Sequence, residues 1–250
     1  MRQGSLRRPP APCIECAFFL DVDGTLLDIA DSPSAVRVDM ELLELIERLS
    51  RISGGALALV SGRSISDLEE LLGARRMPLA GQHGLERRDA AGRLWIHAAP
   101  PGAKCTIKEA LAPVLARHPG LLLEDKGLTL ALHYRQAPHL AAYAQRLMTR
   151  LMLEAGGGLE LQKGKRVIEI KPEGIDKGTA VAEYLAESPF RGRHPVFIGD
   201  DLNDEHGFAE VNRVGGISIK VGPGASCARY RLPHVAAVRN WLNDALKGAG

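Results

Sequence analysis

The stretch Phe18-Phe19-Leu20-Asp21-Val22-Asp23-Gly24-Thr25 decides the fold of this 250-residue chain. It is a short apolar run that ends in two acids and a glycine. Uninterrupted apolar residues are typical of a buried parallel strand, because both faces of such a strand are covered. The acids then lie at the carboxyl end of the strand, which is where open α/β sheets bind their ligands.

Two later apolar strands end in the same way. The strand at residues 56–60 precedes Ser61-Gly62-Arg63, and the strand at 195–198 precedes Gly199-Asp200-Asp201-Leu202-Asn203-Asp204. Segments with a helical period separate the strands, and the last of these is a helix near residues 235–246. The fold class predicted is therefore α/β, with a doubly wound, mostly parallel sheet.

The alternation of strands and helices changes in the middle of the chain. Pro100-Pro101-Gly102 and Pro172-Glu173-Gly174 read as linkers. Between them the order helix, strand, strand, helix, strand, strand predicts an α+β unit with an antiparallel sheet. We therefore expect a core domain made of residues 1–100 and 173–250, interrupted by an inserted α+β domain at 101–172.

The composition and the apolar runs exclude several classes of partner. Lys plus Arg total 32 and Asp plus Glu total 30, so the net charge of +2 argues against a nucleic-acid partner. Apolar runs in the sequence fall short of the roughly 20 residues that cross a bilayer, and the N-terminus lacks the pattern of a signal peptide. We expect a cytoplasmic protein without a membrane partner, whose four cysteines are reduced thiols.

The acids at the strand ends predict a metal site. Several carboxylates meeting at one edge would repel one another, and a divalent cation bound by oxygen ligands, above all Mg²⁺, relieves that repulsion. Asp21 and Asp23 lie on opposite sides of an extended segment, so a sharp turn at Gly24 is needed before both reach one centre. The alternative is that these polar residues cap helices. Capping would explain Asp200 or Asn203 individually, but not the whole set.

Taken together, these motifs resemble those of the haloacid dehalogenase (HAD) superfamily of Mg²⁺-dependent phosphatases. The Asp21 and Ser61 segments, Lys177 at the start of a later helix, and the Asp200 segment stand in the order of its four motifs, and the insert resembles its type-2 cap. Residues 81–89, 123–127, 132–138 and 164–172 are similar, more specifically, to the family of bacterial trehalose-6-phosphate phosphatases. Asn203 departs from that family, which often carries Thr there.

The resemblance implies a mechanism through an aspartyl-phosphate. The catalytic residues it implies are Asp21 as nucleophile, Asp23 as acid and base, and Ser61 and Lys177 as phosphoryl ligands. The implied Mg²⁺ ligands are Asp21, the main-chain carbonyl of Asp23, and Asp200, with Asp204 or Asp201 close behind through water.

Selectivity for a sugar phosphate requires polar groups that face its hydroxyls, since carboxylates accept from hydroxyls and lysines donate to them. The predicted substrate-binding residues are Arg63, His83, Glu124, Lys126, Lys165 and Glu169. Plainer readings stay open: Lys165 as a solvated hairpin tip, and Glu169 on the wet face of a half-covered sheet.

The predicted activity is hydrolysis of trehalose 6-phosphate to trehalose and phosphate, the last step of trehalose biosynthesis, with functional coupling to a trehalose-phosphate synthase. One alternative is a phosphatase for another phosphosugar, such as sucrose phosphate or mannosyl-phosphoglycerate. A second alternative is a catalytically silent sugar-phosphate sensor, although both Asp21 and Asp23 are present.

Overall fold

A computed structural model describes residues 7–13, 15–29, 36–73, 77–164 and 166–247. The chain divides into two compact units, the first made of Met1–Trp95 and Ile175–Gly250 and the second of Ile96–Gly174. The sequence predicted the borders of the inserted domain at 100/101 and 172/173. The difference has a local cause: Ala99 packs against the core of the second unit, and the Glu173 amide donates to the Gly158 carbonyl of that unit.

The strands and helices of the chain, in order, are as follows. They are β1 (Cys16–Leu20), α1 (Met40–Ile52), β2 (Leu57–Val60), α2 (Ile65–Leu72), β3 (Leu79–Gly81), β4 (Glu86–Arg88), β5 (Leu94–Ile96), α3 (Ala103–Arg117), β6 (Leu122–Asp125), β7 (Leu130–His133), α4 (Ala141–Glu154), β8 (Leu159–Gly164), β9 (Val167–Pro172), α5 (Lys177–Leu185), β10 (His194–Gly199), α6 (Asp204–Arg213), β11 (Ile217–Val221), β12 (Tyr230–Leu232) and α7 (Val235–Lys247). None of the described helices is long and apolar enough to cross a membrane.

The large sheet has eight strands in the order β12-β11-β10-β1-β2-β3-β4-β5. Every neighbouring pair from β12 to β3 is parallel, and β4 then runs antiparallel to β3. The predicted fold class is therefore confirmed. Strand β1 lies in the middle of the sheet, where Phe18 pairs with Val196 of β10 on one side and with Leu57 of β2 on the other.

Helices cover both faces of this sheet. Phe18 and Leu20 share a hydrophobic core with residues of α1, α2 and α7, whereas Ala17 and Phe19 share another with residues of α5 and α6. Alternate residues of one strand thus enter different cores, because successive side chains point to opposite faces. Burial on both sides explains why β1 is apolar without interruption.

Strand β12 is one element that the sequence did not predict. It has only three residues, Tyr230, Arg231 and Leu232, and the central one is charged. Its pairing with β11, in which Ile219 lies opposite Tyr230, places it at the edge of the sheet. A short, partly polar edge strand carries too little periodicity to be distinguished from a loop.

The second unit is an antiparallel sheet in the order β6-β7-β9-β8. Leu130, Leu132, Ile168 and Ile170 of the central strands pack against apolar residues of α3 and α4 in one core. Residues that alternate with these lie on the other face, where Glu124, Ala131, Glu169 and Gln162 follow one another across the four strands. That face is mostly polar.

Candidate active site

The carboxyl ends of three neighbouring strands carry the polar side chains that the sequence singled out. Asp21 follows β1, Ser61 follows β2 and Asp200 follows β10, and these strands are adjacent in the order β10-β1-β2. Lys177 is the first residue of α5. Its helix is fixed by Asp176, whose side chain accepts from the Thr179 amide at 2.9 Å.

Asp21, Lys177 and Asp204 form a buried ionic cluster. The ammonium nitrogen of Lys177 lies 2.6 Å from Oδ1 of Asp21 and 2.6 Å from Oδ1 of Asp204. Their exposed fractions are only 4% for Asp21, 3% for Lys177 and 0% for Asp204. Burying charged groups is costly unless they are paired. The charges of this cluster are therefore balanced by contacts with one another rather than by water.

Hydrogen bonds orient the remaining carboxylate oxygens of the cluster. The hydroxyl of Thr25 donates to Oδ2 of Asp21 at 3.0 Å. Oδ2 of Asp204 accepts from the main-chain amides of Asp200 and Asp201, each at 2.9 Å. Asp204 therefore shapes the loop that carries Asp200, while Thr25 and Lys177 together fix the plane of the Asp21 carboxylate.

The pKa values of Asp21, Asp200 and Lys177 are shifted from those of the free side chains. Burial raises the pKa of Asp21 to about 8, although Lys177 opposes the shift, and burial together with Asp204 raises the pKa of Asp200 to about 6. Burial by itself lowers the pKa of Lys177, but the Asp204 and Asp21 carboxylates raise it overall. Burial is thus the main cause of the shifts of the two acids, and the repulsion between carboxylates adds to it.

A divalent cation fits this arrangement. Asp21, Asp200 and Asp204 each offer a carboxylate oxygen, and these oxygens lie within 4.8 Å of one another. An all-oxygen donor set suits Mg²⁺ or another hard cation. A cation there would also offset the repulsion between the carboxylates of Asp200 and Asp204.

Gly24 allows Asp200 to approach Asp21. Its φ of +82° is the sharp turn that the sequence predicted. A Cβ atom at this position would lie 2.2 Å from Oδ2 of Asp200, which is far inside van der Waals contact. The turn was predictable from the spacing of the acids, but this close approach depends on the neighbouring strand and was not.

Asp23 and Arg63 form a second ion pair. Nε and Nη2 of Arg63 donate to the two oxygens of Asp23, both at 2.6 Å. The amide of Arg63 also donates to the Ser61 hydroxyl oxygen at 3.1 Å. Arg63, predicted to bind substrate, thus contacts Asp23, the single residue expected to act first as acid and then as base.

His83 packs against the Ser61 loop in a rarely adopted backbone conformation. The φ angles of Gln82 and His83 are +46° and +61°, a left-handed region that costs non-glycine residues free energy. The His83 amide donates to the Ser61 carbonyl at 2.9 Å, and a Cβ at Gly62 would lie 2.7 Å from Cε1 of His83. The loop holds His83 beside the residues expected to bind phosphate.

Glu124 and Glu169, two of the sugar ligands predicted in the second unit, lie on the polar face of its sheet. Glu169 is 6% exposed and accepts from the Thr129 hydroxyl at 2.5 Å and from Lys126 at 3.3 Å. Glu124 contacts Nε2 of His133 at 2.8 Å. Lys165 lies outside the described residues.

Two residues that contact Asp21 or Asp200 have no role in the sequence prediction. Thr25 was quoted as part of the first motif, and its contact with Asp21 follows from the turn at Gly24. Lys220 is the last residue but one of the buried strand β11, and its ammonium donates to the main-chain oxygen of Asp200. A lysine within a buried strand was the signal that could have found it.

The strand order and the inserted second unit define the class of the fold, which this chain shares with solved structures of HAD phosphatases. A HAD superfamily phosphatase structure from Bacteroides thetaiotaomicron has the same fold, with a TM-score of 0.64, 17% identity and coverage of 100% of this chain and 98% of that one. The C-terminal domain of Candida albicans trehalose-6-phosphate phosphatase aligns with a TM-score of 0.80 at 22% identity, over 98% and 99% of the two chains.

Sequence comparison identifies the family. The trehalose-phosphatase family model matches residues 19–235. Escherichia coli trehalose-6-phosphate phosphatase is 46% identical over 241 residues, which are 95% of this chain and 89% of that protein. A longer bifunctional trehalose-6-phosphate synthase/phosphatase from Thermoproteus tenax is 33% identical over 90% of this chain and 31% of its own length. The chain belongs to the trehalose-phosphatase family, and it is a phosphoric monoester hydrolase.

Proposed function

We propose that this hydrolase converts trehalose 6-phosphate to trehalose and phosphate, with Mg²⁺ as cofactor and an aspartyl-phosphate as intermediate. The observation that carries the proposal is the buried Asp21 carboxylate, held by Lys177 and Thr25 among acids able to hold a cation. The name of the E. coli relative supports the choice of substrate.

Asp21 is the nucleophile in this proposal. Phosphate monoesters hydrolyse very slowly, and a carboxylate that first takes up the phosphoryl group divides the reaction into two easier steps. Lys177 and Thr25 hold the Asp21 carboxylate in one orientation before substrate arrives, which lowers the entropic cost of attack. Lys177 and Ser61 would also bind the phosphoryl oxygens.

Asp23 transfers the protons. It would protonate O6 of the leaving sugar, and the resulting carboxylate would then accept a proton from the water that attacks the aspartyl-phosphate. The bidentate contact with Arg63 occupies both carboxylate oxygens of Asp23, so that contact must loosen before either oxygen can reach the sugar. A bound phosphate offers Arg63 another bidentate partner, which would release Asp23 when the substrate binds.

The residues present fit Mg²⁺ as the cation. Asp21, Asp200 and the main-chain carbonyl of Asp23 would hold it, while Asp204 keeps the Asp200 loop in place. When bound, the cation shields the Asp21 carboxylate from the negative charge of the phosphate.

The polar face of the second unit would recognise the sugar. Glu169 presents a carboxylate whose orientation is fixed by Thr129 and whose charge is balanced by Lys126. Glu124 stands in the same cross-strand row. Such pairs of acceptors and donors match the hydroxyls of a disaccharide. Contacts of Lys165 and His83 with the substrate stay predictions.

A substrate panel with one variant tests the proposal. We expect the wild type to release phosphate from trehalose 6-phosphate far faster than from sucrose 6-phosphate or p-nitrophenyl phosphate, and EDTA to abolish the activity until Mg²⁺ is added. Glu169→Gln should lower kcat/KM for trehalose 6-phosphate by about 10- to 100-fold, because a charged hydrogen bond to the sugar is lost. Its turnover of p-nitrophenyl phosphate should hardly change.

Glu154→Gln is the matched control, since Glu154 lies in α4 of the same unit, is exposed and pairs with Arg150 on the helix surface. Equal losses on both substrates in Glu169→Gln would show that Glu169 supports the fold rather than the sugar. A preference for sucrose 6-phosphate would favour the other phosphosugar activity. Sugar-phosphate binding without any turnover would favour a sensor.

We further propose that the enzyme acts in the cytoplasm beside a trehalose-phosphate synthase. The T. tenax relative joins the two activities in one chain, which supports such coupling. The four cysteines are free thiols, which fits a reducing compartment.

A further inference from the structure

Lys220 is a buried lysine at the carboxyl end of β11. Only 6% of it is exposed. It lies opposite Gly199 in the pairing of β10 with β11, directly beside the start of the Asp200 loop. Ser218, two residues earlier on the same face of the strand, donates to Asn212 of α6. Lys220 therefore points towards the side of the sheet that carries α6 and Asp204.

The contacts of Lys220 are unusual for a buried ammonium group. Its nitrogen donates to the main-chain oxygen of Asp200 and, at 3.0 Å, to that of Val221. Both acceptors are neutral main-chain carbonyl oxygens. A buried charge is costly, and an apolar residue would serve a purely structural strand end better.

The Asp200 loop is thus held from two sides. Asp204 accepts from the amides of Asp200 and Asp201, and Lys220 donates to the carbonyl of Asp200. With its main chain fixed in this way, Asp200 keeps its carboxylate in the space beside Gly24. None of these contacts uses an oxygen of the Asp200 side chain.

We propose that Lys220 is a positioning residue for the cation site: by fixing the main chain of Asp200, it aims the Asp200 carboxylate at the bound cation. The inference rests on the proposed Mg²⁺ site. A simpler role is charge balance among the acids. The two roles predict opposite results, because removing a positive charge alone would tighten Mg²⁺ binding, whereas loss of position would weaken it.

Lys220→Met tests the proposal in two measurements that need no turnover. Hydrogen exchange of the metal-free protein should be faster at the amides of Asp200 and Asp201, because the loop loses one of its anchors. Calorimetry with Mg²⁺ alone should show the Kd raised by about 10- to 100-fold, the usual effect of losing a group that orients a metal ligand. Lys171→Met is the control. It removes a buried lysine of the second unit and should change neither measurement.

Lys220→Gln separates hydrogen bonding from charge, since it is neutral but keeps an N–H donor. We expect it to bind Mg²⁺ more tightly than Lys220→Met, and it replaces that variant if the Met substitution prevents folding. Unchanged exchange at Asp200 and Asp201, or tighter Mg²⁺ binding by Lys220→Met than by the wild type, would overturn the positioning role. A wild-type protein that binds no Mg²⁺ would instead overturn the proposed cation site itself.

Discussion

Asp21→Asn should reduce phosphate release from trehalose 6-phosphate by at least about 10⁴-fold, the scale at which loss of a nucleophile is felt. The amide has nearly the shape of the carboxylate but cannot attack phosphorus. Lys177 keeps its contact with Asp204, so its charge stays paired and the fold should persist. Steady-state phosphate release and circular dichroism on the purified variant measure both effects.

Asp28→Asn is the control for this substitution, because Asp28 follows seven residues later and is exposed. It should keep the wild-type rate. If Asp21→Asn released phosphate at a rate close to that of the wild type, the aspartyl-phosphate mechanism would be refuted.

Gly24→Ala should lower kcat by about 100-fold or more, because misplacing a reacting group by as little as 1 Å can cost that much. The new methyl group would collide with the Asp200 carboxylate and displace it from Asp21. The positive φ adds a stability cost of about 1 kcal/mol for any residue other than glycine. Kinetics at saturating substrate and thermal unfolding separate the two contributions.

Gly73→Ala supplies the matched control. Gly73 caps the C-terminal end of α2 with a φ of +63°, and a Cβ there would meet no heavy atom of the described residues within 4 Å. It should lose a similar amount of stability but retain full activity. Equal activity losses in the two variants would mean that backbone strain, rather than the approach of Asp200, explains the effect at Gly24.

The fold could be predicted from the sequence because its signals are local. The uninterrupted apolar run at Phe18–Leu20 follows from burial on two faces, and its acids mark the edge of the sheet that binds ligands. The order helix, strand, strand, helix, strand, strand likewise indicated an antiparallel sheet in the second unit, and each of those elements could be read from a few consecutive residues.

Contacts between residues far apart in the chain were not predictable in the same way. The pairing of Arg63 with Asp23 spans 40 residues of the chain. The contact of Lys220 with Asp200 joins the ends of two neighbouring strands. Such contacts depend on side-chain directions and on loop geometry, as at Gln82 and His83, where the backbone leaves its usual conformations. Residue types and spacing carry little information about them.

The most direct test of the proposed chemistry is a crystal structure of the protein with Mg²⁺ and beryllium fluoride, whose trifluoride adduct on a carboxylate mimics an aspartyl-phosphate. The account predicts beryllium bonded to a carboxylate oxygen of Asp21, and Mg²⁺ in contact with Asp21 and Asp200. Beryllium bonded to any other side chain, or Mg²⁺ bound away from Asp200, would contradict it.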